Sequence, residues 1–211
     1  MNFLAHLFLT YNEEELTVGN YIADFIRNRH LSMFDDRVVQ GVMIHRFIDQ
    51  FTDTHPSVLA STRILHERHG KYAPVVIDVF YDYILTKNWH LFTDIELREF
   101  CDTTYSVLNS NSELFPDYLR DITYRMIADD FLIKYGTIDG LNKTFYRIGR
   151  RAKFESNFES AVLDLEEHYD AINNGFLEFF PEIVDAVKQE ILKINLDIKS
   201  RSFIGYRSKK E

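Results

Sequence analysis

The stretch VVQGVMIHRFIDQFTDTHP, residues 38–56, decides the predicted fold, because its apolar side chains recur with the spacing of an α-helix. Spacings of three and four residues join one continuous stripe, formed by Val38, Val42, His45, Asp49 and Asp53. The stripe begins apolar and becomes polar towards its C-terminal end. We therefore predict a helix over about residues 37–53 whose first turns pack in a core and whose last turns line a pocket. Because the residue before a proline is steered away from helical geometry, Pro56 ends this helix.

Two further segments place ligand-type side chains four residues apart, which puts them on one face of a helix. Asp78 and Asp82 lie in a very apolar segment over about residues 73–89, and Asn20 and Asp24 lie in a predicted helix over about residues 16–27. Buried carboxylates without a partner are costly, and two of them on one helix repel each other unless a cation or protons intervene. This pattern indicates a site for one metal ion or a pair of them.

The remaining chain predicts an all-α fold, since 8 Gly and 4 Pro in 211 residues leave few points for turns. A short helix is expected from about residue 3, capped by Asn2, and further helices over about residues 57–69, 94–108, 117–133, 138–148, 158–179 and 182–196, with Pro181 at the boundary before the last. We predict one helical bundle with a buried metal pocket over residues 1–196. Residues 197–211 form a basic segment that we expect to be a loose tail.

Composition limits the classes of partner and compartment. The net charge of −9 argues against general nucleic-acid binding. Cys101 is the only cysteine, so a disulfide framework within the chain is excluded and a reducing compartment is expected. The apolar run over residues 3–9 is too short to span a membrane and is interrupted by His6. These features favour a cytoplasmic, soluble protein without membrane insertion, and they leave the oligomeric state open.

The chemistry of the candidate ligands limits which metal ion the site could bind. Carboxylates with a few imidazoles suit Mn²⁺, Mg²⁺ or Fe²⁺ better than a metal that prefers thiolates. Simpler interpretations stay open at this point: Asp78 and Asp82 could pair with Arg46 or other basic residues in a structural network, His6 could be a partly buried core histidine, and Asn20 with Asp24 could lie on an exposed face.

Four motifs together resemble the acyl carrier protein phosphodiesterase family. They are MNFLAH at residues 1–6, GNYIADF at 19–25, IHRFIDQFTDTHP at 44–56 and DVFYD at 78–82. The resemblance extends to about residue 195. It implies a mostly helical enzyme, distantly similar to the HD-domain metal phosphohydrolases, that hydrolyses the phosphodiester between 4′-phosphopantetheine and a serine of holo acyl carrier protein. It also implies a divalent metal, typically Mn²⁺. The chain departs from the HD signature, since it has no adjacent His–Asp pair.

With this chemistry in view, we expect the metal ligands and the groups that orient them among eight side chains: His6, Asp24, His45, Asp49, Asp53, His55, Asp78 and Asp82. Asp49 and His55 are also candidates for catalysis. Arg46 could contact the phosphate, because its planar guanidinium matches that geometry, or it could form a structural salt bridge. Asn20 is a candidate for substrate binding, as a ligand or as a structural hydrogen bonder.

Docking of an acidic carrier protein on this acidic chain requires a local basic patch. Residues 141–154 provide one, with Lys143, Arg147, Arg150, Arg151 and Lys153 and no acid. We predict substrate contacts from Arg147, Arg150 and Arg151. The alternative is a solvated helix face, neutralised by the acidic segment over residues 155–167.

Other functions remain possible on sequence alone. The same pocket could serve a nucleotide or another small phosphate ester, or the chain could be a non-enzymatic helical interaction module with buried salt bridges. An oxidative di-iron role is disfavoured, because such bundles use Glu-x-x-His spacing, which this chain lacks.

Overall fold

The computed structural model describes residues 1–10 and 13–207, with side chains described up to residue 196. Within these ranges the chain forms α-helices and short 3₁₀ turns and contains no strand, which confirms the predicted all-α class. The α-helices are α1 (Phe3–Thr10), α2 (Glu14–Ile22), α3 (Asp36–Thr54), α4 (Pro56–His69), α5 (Ala73–Lys87), α6 (Leu97–Ser110), α7 (Asp117–Ala128), α8 (Phe131–Lys134), α9 (Ile138–Gly149) and α10 (Ala161–Arg207).

Helix α5 lies at the centre of the core and contacts α1, α4, α9 and α10. Helices that are surrounded on all sides have no polar face to solvent, which explains why this segment is apolar nearly all round. Its completely buried apolar side chains include Val76, Ile77, Val79, Phe80 and Ile84. The central position of α5 brings Asp78 and Asp82 to the N-terminal end of α1.

Helices α2 and α3 pack with their backbones in contact at two glycines. A Cβ added to Gly19 would lie 2.0 Å from the carbonyl oxygen of Val38, and one added to Gly41 would lie 2.3 Å from that of Leu16. Only a residue without a side chain fits at either position. This close approach places Asn20, the residue after Gly19, within hydrogen-bonding reach of α3.

Three predicted boundaries are wrong. Helix α10 continues through Pro181, because Phe176, Phe179 and Phe180 before it and Ile183 after it are all buried, and this packing outweighs the loss of one backbone hydrogen bond. Helix α2 ends at Ile22, so Asp24 lies in the turn beyond it.

The predicted helix over residues 117–133 is interrupted between α7 and α8, where Asp130 adopts a left-handed conformation with φ 50°. Such a conformation cannot continue a right-handed helix.

The predicted basic tail, residues 197–211, lies outside the residues whose side chains are described, although α10 extends to Arg207. None of the helices in the described ranges has the length and apolar character needed to cross a membrane.

Candidate metal centre

Helices α1, α2 and α3 bring His6, Asn20 and His45 together in the protein interior. All three side chains are buried, and the two imidazole rings stack with centroids 4.3 Å apart. Asp49, one turn after His45 on α3, lies beside them with its carboxylate half exposed. The stripe predicted on α3 behaves as expected, since Val38 and Val42 are buried and Asp53 at its end is exposed.

Asn20 orients both histidines. Its side-chain oxygen accepts hydrogen bonds from Nδ1 of His6 at 3.0 Å and from Nδ1 of His45 at 2.9 Å. Its amide nitrogen donates to the backbone oxygen of His6 at 2.7 Å and to Thr10 Oγ1 at 3.3 Å, which fixes which end of the amide faces the rings. Each ring therefore carries a proton on Nδ1, and in the neutral form each Nε2 presents a lone pair.

Both Nε2 atoms face carboxylate oxygens. His6 Nε2 lies 3.3 Å from Asp49 Oδ1, and His45 Nε2 lies 3.2 Å from Asp49 Oδ2 and 3.3 Å from Asp24 Oδ1. Neutral imidazole lone pairs would repel these oxygens, so the arrangement requires a proton or a cation between them. Neighbouring ligands of an octahedral divalent cation lie about 3 Å apart. The donor set of His6, His45 and Asp49 thus fits a divalent metal ion.

At this site the pKa values reflect a competition between burial and neighbouring charge. Burial lowers the pKa of His45, but hydrogen bonds and charge from Asp24 and Asp49 outweigh it and raise the pKa to about 9. For His6 burial dominates, and the pKa is lowered. Burial opposes ionisation of Asp49, yet the two imidazoles hold the pKa of this carboxyl well below its usual range. A cation bound to the three side chains would supply the same charge.

Further acids surround a cavity of about 360 Å³ next to this cluster. The cavity is lined by Met1, Asn2, Asp24, Asp49, Asp53, Val75 and Asp78. Asp78 accepts a hydrogen bond from the buried Met1 ammonium group at 2.7 Å. Partial burial and the charge of Asp78 raise the pKa of Asp53. The structure thus brings five of the eight predicted ligand-type residues to one place, and adds Asp53 at its edge as the sixth.

Asp82 lies elsewhere, at the N-terminus of α1. Its fully buried carboxylate accepts hydrogen bonds from the backbone N–H groups of Asn2 at 3.2 Å, Leu4 at 2.8 Å and Ala5 at 3.2 Å. Burial raises the pKa of Asp82 to about 7 against the opposing effect of these donors. The side chain caps the helix that carries His6, because the first N–H groups of a helix have no partner within it.

Two residues expected to act in catalysis are also outside the cluster. Nδ1 of His55 accepts from the backbone N–H of Ser57 at 3.2 Å, so His55 caps α4, and its Nε2 lies 3.2 Å from Glu182 of α10. Arg46 is exposed and donates to the side-chain oxygen of Asn28, with a weaker contact to the sulfur of Met43. The contacts of His55 and Arg46 therefore connect secondary-structure elements and do not involve the cluster.

The predicted docking residues lie on or just after α9 and are exposed. Arg147 pairs with Asp129 at 2.9 Å, whereas Arg150 and Arg151 have no ion-pair partner within the described part of the chain. Lys143 pairs with Asp139 at 2.6 Å. Neutralisation is therefore local and incomplete, and within the described residues no acid of the segment over residues 155–167 forms an ion pair with these cations.

Sequence reasoning missed several features of this region. Asn20 was noticed, but its bridging role depends on the approach of α2 to α3. The contact between Met1 and Asp78 and the capping by Asp82 join distant parts of the chain and have no local signal. Tyr135, which is buried near Asp24 and Asp82, also carried no distinguishing pattern.

Comparison with known proteins points to one family, by a family model and by individual relatives. The model of the acyl carrier protein phosphodiesterase family matches residues 1–183. A protein named acyl carrier protein phosphodiesterase from Pectobacterium atrosepticum is 26% identical over 193 residues, which cover 91% of this chain and 100% of the relative. Proteins of the same name from Escherichia coli O45:K1 and Escherichia coli K12 are each 29% identical over 194 residues, with coverage of 91% and 100%. No solved structure matches, so the likeness to HD domains stays a prediction.

Proposed function

Because this chain belongs to the acyl carrier protein phosphodiesterase family, we propose that it hydrolyses the phosphodiester between 4′-phosphopantetheine and a serine of holo acyl carrier protein. The observation that carries the proposal is the pair of imidazoles that Asn20 turns towards Asp49 and Asp24. A site of this kind suits a reaction in which water attacks a charged phosphoryl group. The products are apo carrier protein and 4′-phosphopantetheine.

His6, His45 and Asp49 would hold the metal, and Asp24 would complete the set, since its Oδ1 lies 3.3 Å from His45 Nε2. We propose Mn²⁺, with Mg²⁺ or Fe²⁺ as alternatives, since mixed imidazole and carboxylate ligands suit these ions. A divalent cation here supplies positive charge for the phosphoryl oxygens and acidifies water. Asn20 keeps both Nε2 lone pairs directed at the site, as partners of ligating histidines commonly do.

The acids across the cavity complete the reaction. Water oxygen forms the new bond to phosphorus and gives up one proton to the solvent of the cavity, the bond from phosphorus to the serine oxygen breaks, and that oxygen takes up a proton. Asp53 lines the cavity, and partial burial and the charge of Asp78 raise the pKa of its carboxyl. We assign Asp53 to proton delivery to the serine oxygen. Asp78 holds the Met1 ammonium group at the cavity wall.

The carrier protein would approach along the exposed basic surface of Arg147, Arg150 and Arg151. Carrier proteins are acidic, and two of these guanidinium groups have no competing carboxylate in the described structure. We also place the protein in the cytoplasm, where its free, buried Cys101 stays reduced.

The test is incubation with holo acyl carrier protein, with and without Mn²⁺, followed by mass spectrometry. Loss of the mass of phosphopantetheine only when metal is present supports the proposal. Asp49→Ala should abolish turnover and metal binding together, whereas His66→Ala, which removes an exposed histidine of α4, should change neither. Full metal-dependent activity of Asp49→Ala would contradict the assigned site. Turnover of a nucleotide but not of the carrier protein would favour the alternative of a small phosphate ester.

A further inference from the structure

A second cavity, of about 420 Å³, shares the lining residue Asn2 with the acidic cavity. Its walls come from the start of α1, the end of α2 and the helices α7, α8 and α9. The lining is mainly apolar and aromatic, with Phe3, Tyr21, Phe25, Met126, Phe131 and Ile148. We call this cavity the arm groove. It has no role in holding the metal.

The arm groove and the acidic cavity next to the candidate metal centre share one lining residue. Asn2 lines both cavities, and its backbone N–H is held by Asp82 at 3.2 Å. The side-chain oxygen of Asn2 accepts from the backbone N–H of Phe3 at 3.0 Å. Asn2 is therefore the place at which a molecule with its phosphate in the acidic cavity would enter the arm groove.

The groove also contains a buried polar group without a partner. The hydroxyl of Tyr135 has no hydrogen-bond partner among the described residues, and the side chain is 1% exposed. The charged groups that act on it are Asp82 at the start of α1, Arg147 in the wall of the arm groove and Asp24 in the wall of the acidic cavity. Buried hydroxyl groups are normally paired, because an unpaired one loses the hydrogen bonds it made to water. This atom is suited to pair with a ligand.

Three arginines give the arm groove a positive charge. Arg125, Arg147 and Arg151 line the groove, and of these only Arg147 forms an ion pair within the part of the chain that the structure describes. A purely apolar chain would leave the Tyr135 hydroxyl unpaired and would gain nothing from the cations. An extended arm that carries amide groups along an apolar backbone, attached to a phosphate and to an acidic protein, matches all three features.

We propose that the arm groove binds the amide-bearing pantetheine arm of the substrate, with the Tyr135 hydroxyl hydrogen-bonded to one of its amide groups. This rests on the proposed function, since the phosphate and the arm belong to one molecule. Tyr135 is a binding residue in this account and takes no part in the transfer of the phosphoryl group. The groove would favour substrates that carry the arm over simple phosphodiesters.

The first test is Tyr135→Phe, which removes only the unpaired oxygen. We expect kcat/KM for holo carrier protein to fall about tenfold, the equivalent of one lost hydrogen bond, mainly through a raised KM. Hydrolysis of bis(p-nitrophenyl) phosphate, which has no arm, should be unchanged, and the melting temperature should not fall. Tyr146→Phe, which removes an exposed hydroxyl on α9, is the matched control and should behave like wild type. A lower melting temperature with unchanged kcat/KM would show a structural hydroxyl and overturn the proposal.

The second test fills the groove. Ile122→Trp adds bulk to a half-buried lining residue of α7 and should block the arm, so turnover of holo carrier protein falls at least tenfold while the armless diester is still cleaved. Tyr124→Trp on the exposed face of the same helix is its control. Equal turnover of both substrates by Ile122→Trp and wild type would contradict the groove.

Failure of the proposed function can be distinguished from failure of the proposed groove. If the wild-type protein released no phosphopantetheine at all, the groove would be tested by calorimetry with pantetheine itself. Binding by wild type that is weakened in Tyr135→Phe would retain the groove without the reaction, and no binding would exclude both.

Discussion

The imidazole rings of His6 and His45 stack 4.3 Å apart although they belong to different helices, and one amide oxygen, that of Asn20, accepts from Nδ1 of each. Two histidines that share one acceptor must present the same nitrogen, Nε2, on the same side. The pair is therefore prepared to bind a cation before any cation arrives. Asn20 is as important to this arrangement as the ligands.

Asn20→Ala should weaken metal binding about 10- to 100-fold, because neither imidazole is then held in the required tautomer and orientation. Titration of the metal against a fluorescent chelator measures the affinity, and circular dichroism checks the fold. Activity should recover at high metal concentration, since the ligands themselves remain. Wild-type affinity in a folded Asn20→Ala protein would show that the amide does not position the ligands.

Metal binding should release about one proton near pH 7.5. The pKa of His45 is raised to about 9 without metal, so the ring is protonated below that pH, whereas a ligating imidazole must be neutral. Affinity should consequently rise as the pH increases towards 9. Calorimetry in buffers of different ionisation enthalpy measures the released proton. The same number of protons released by His45→Ala would show that His45 is not their source.

Asp82→Ala should destabilise the fold by about 1–3 kcal/mol, because it leaves buried N–H groups at the start of α1 without an acceptor. The folded fraction should still bind metal with nearly normal affinity, since Asp82 contacts backbone and not the cluster. Urea unfolding and metal titration separate the two effects. Unchanged stability together with lost metal binding would instead show that Asp82 is a metal ligand.

Arg150→Glu with Arg151→Glu should raise KM for holo carrier protein about three- to tenfold at low salt and leave kcat nearly unchanged, since charges at the edge of an interface act on association. The difference should shrink at high salt as the charges are screened. Arg63→Glu with Lys188→Glu makes the same change of charge on α4 and α10 and serves as the control. Equal KM values for the two double variants at low salt would exclude docking at α9.

The helical class was predictable because it depends on short-range spacing. The stripe from Val38 to Asp53 and the apolar segment of α5 both lie within 20 residues of chain, and each folds as its period indicates. The continuation of α10 through Pro181 was not predictable from the local rule for proline, because the buried side chains on either side of it belong to a core that forms only on folding.

The candidate site, too, was predictable in part. The ligand-type residues could be recognised by sequence, since acids and imidazoles in apolar helices must be compensated. The individual role of each side chain could not be recognised by sequence. Whether Asp78, Asp82 or His55 lies in the cluster with Asp49 depends on which distant parts of the chain contact it. Asp82 meets the N-terminus of α1, and His55 meets Glu182, which lies on α10.

By itself the sequence determined an all-α chain with buried histidines and carboxylates, because periodicity and the cost of burying charge are local properties. Only the tertiary structure decided that Asn20 turns His6 and His45 towards Asp49, that Asp82 caps a helix, and that Tyr135 lines a groove beside the site. These roles depend on contacts between helices distant in sequence, and the close packing at Gly19 and Gly41 is what brings two of those helices together.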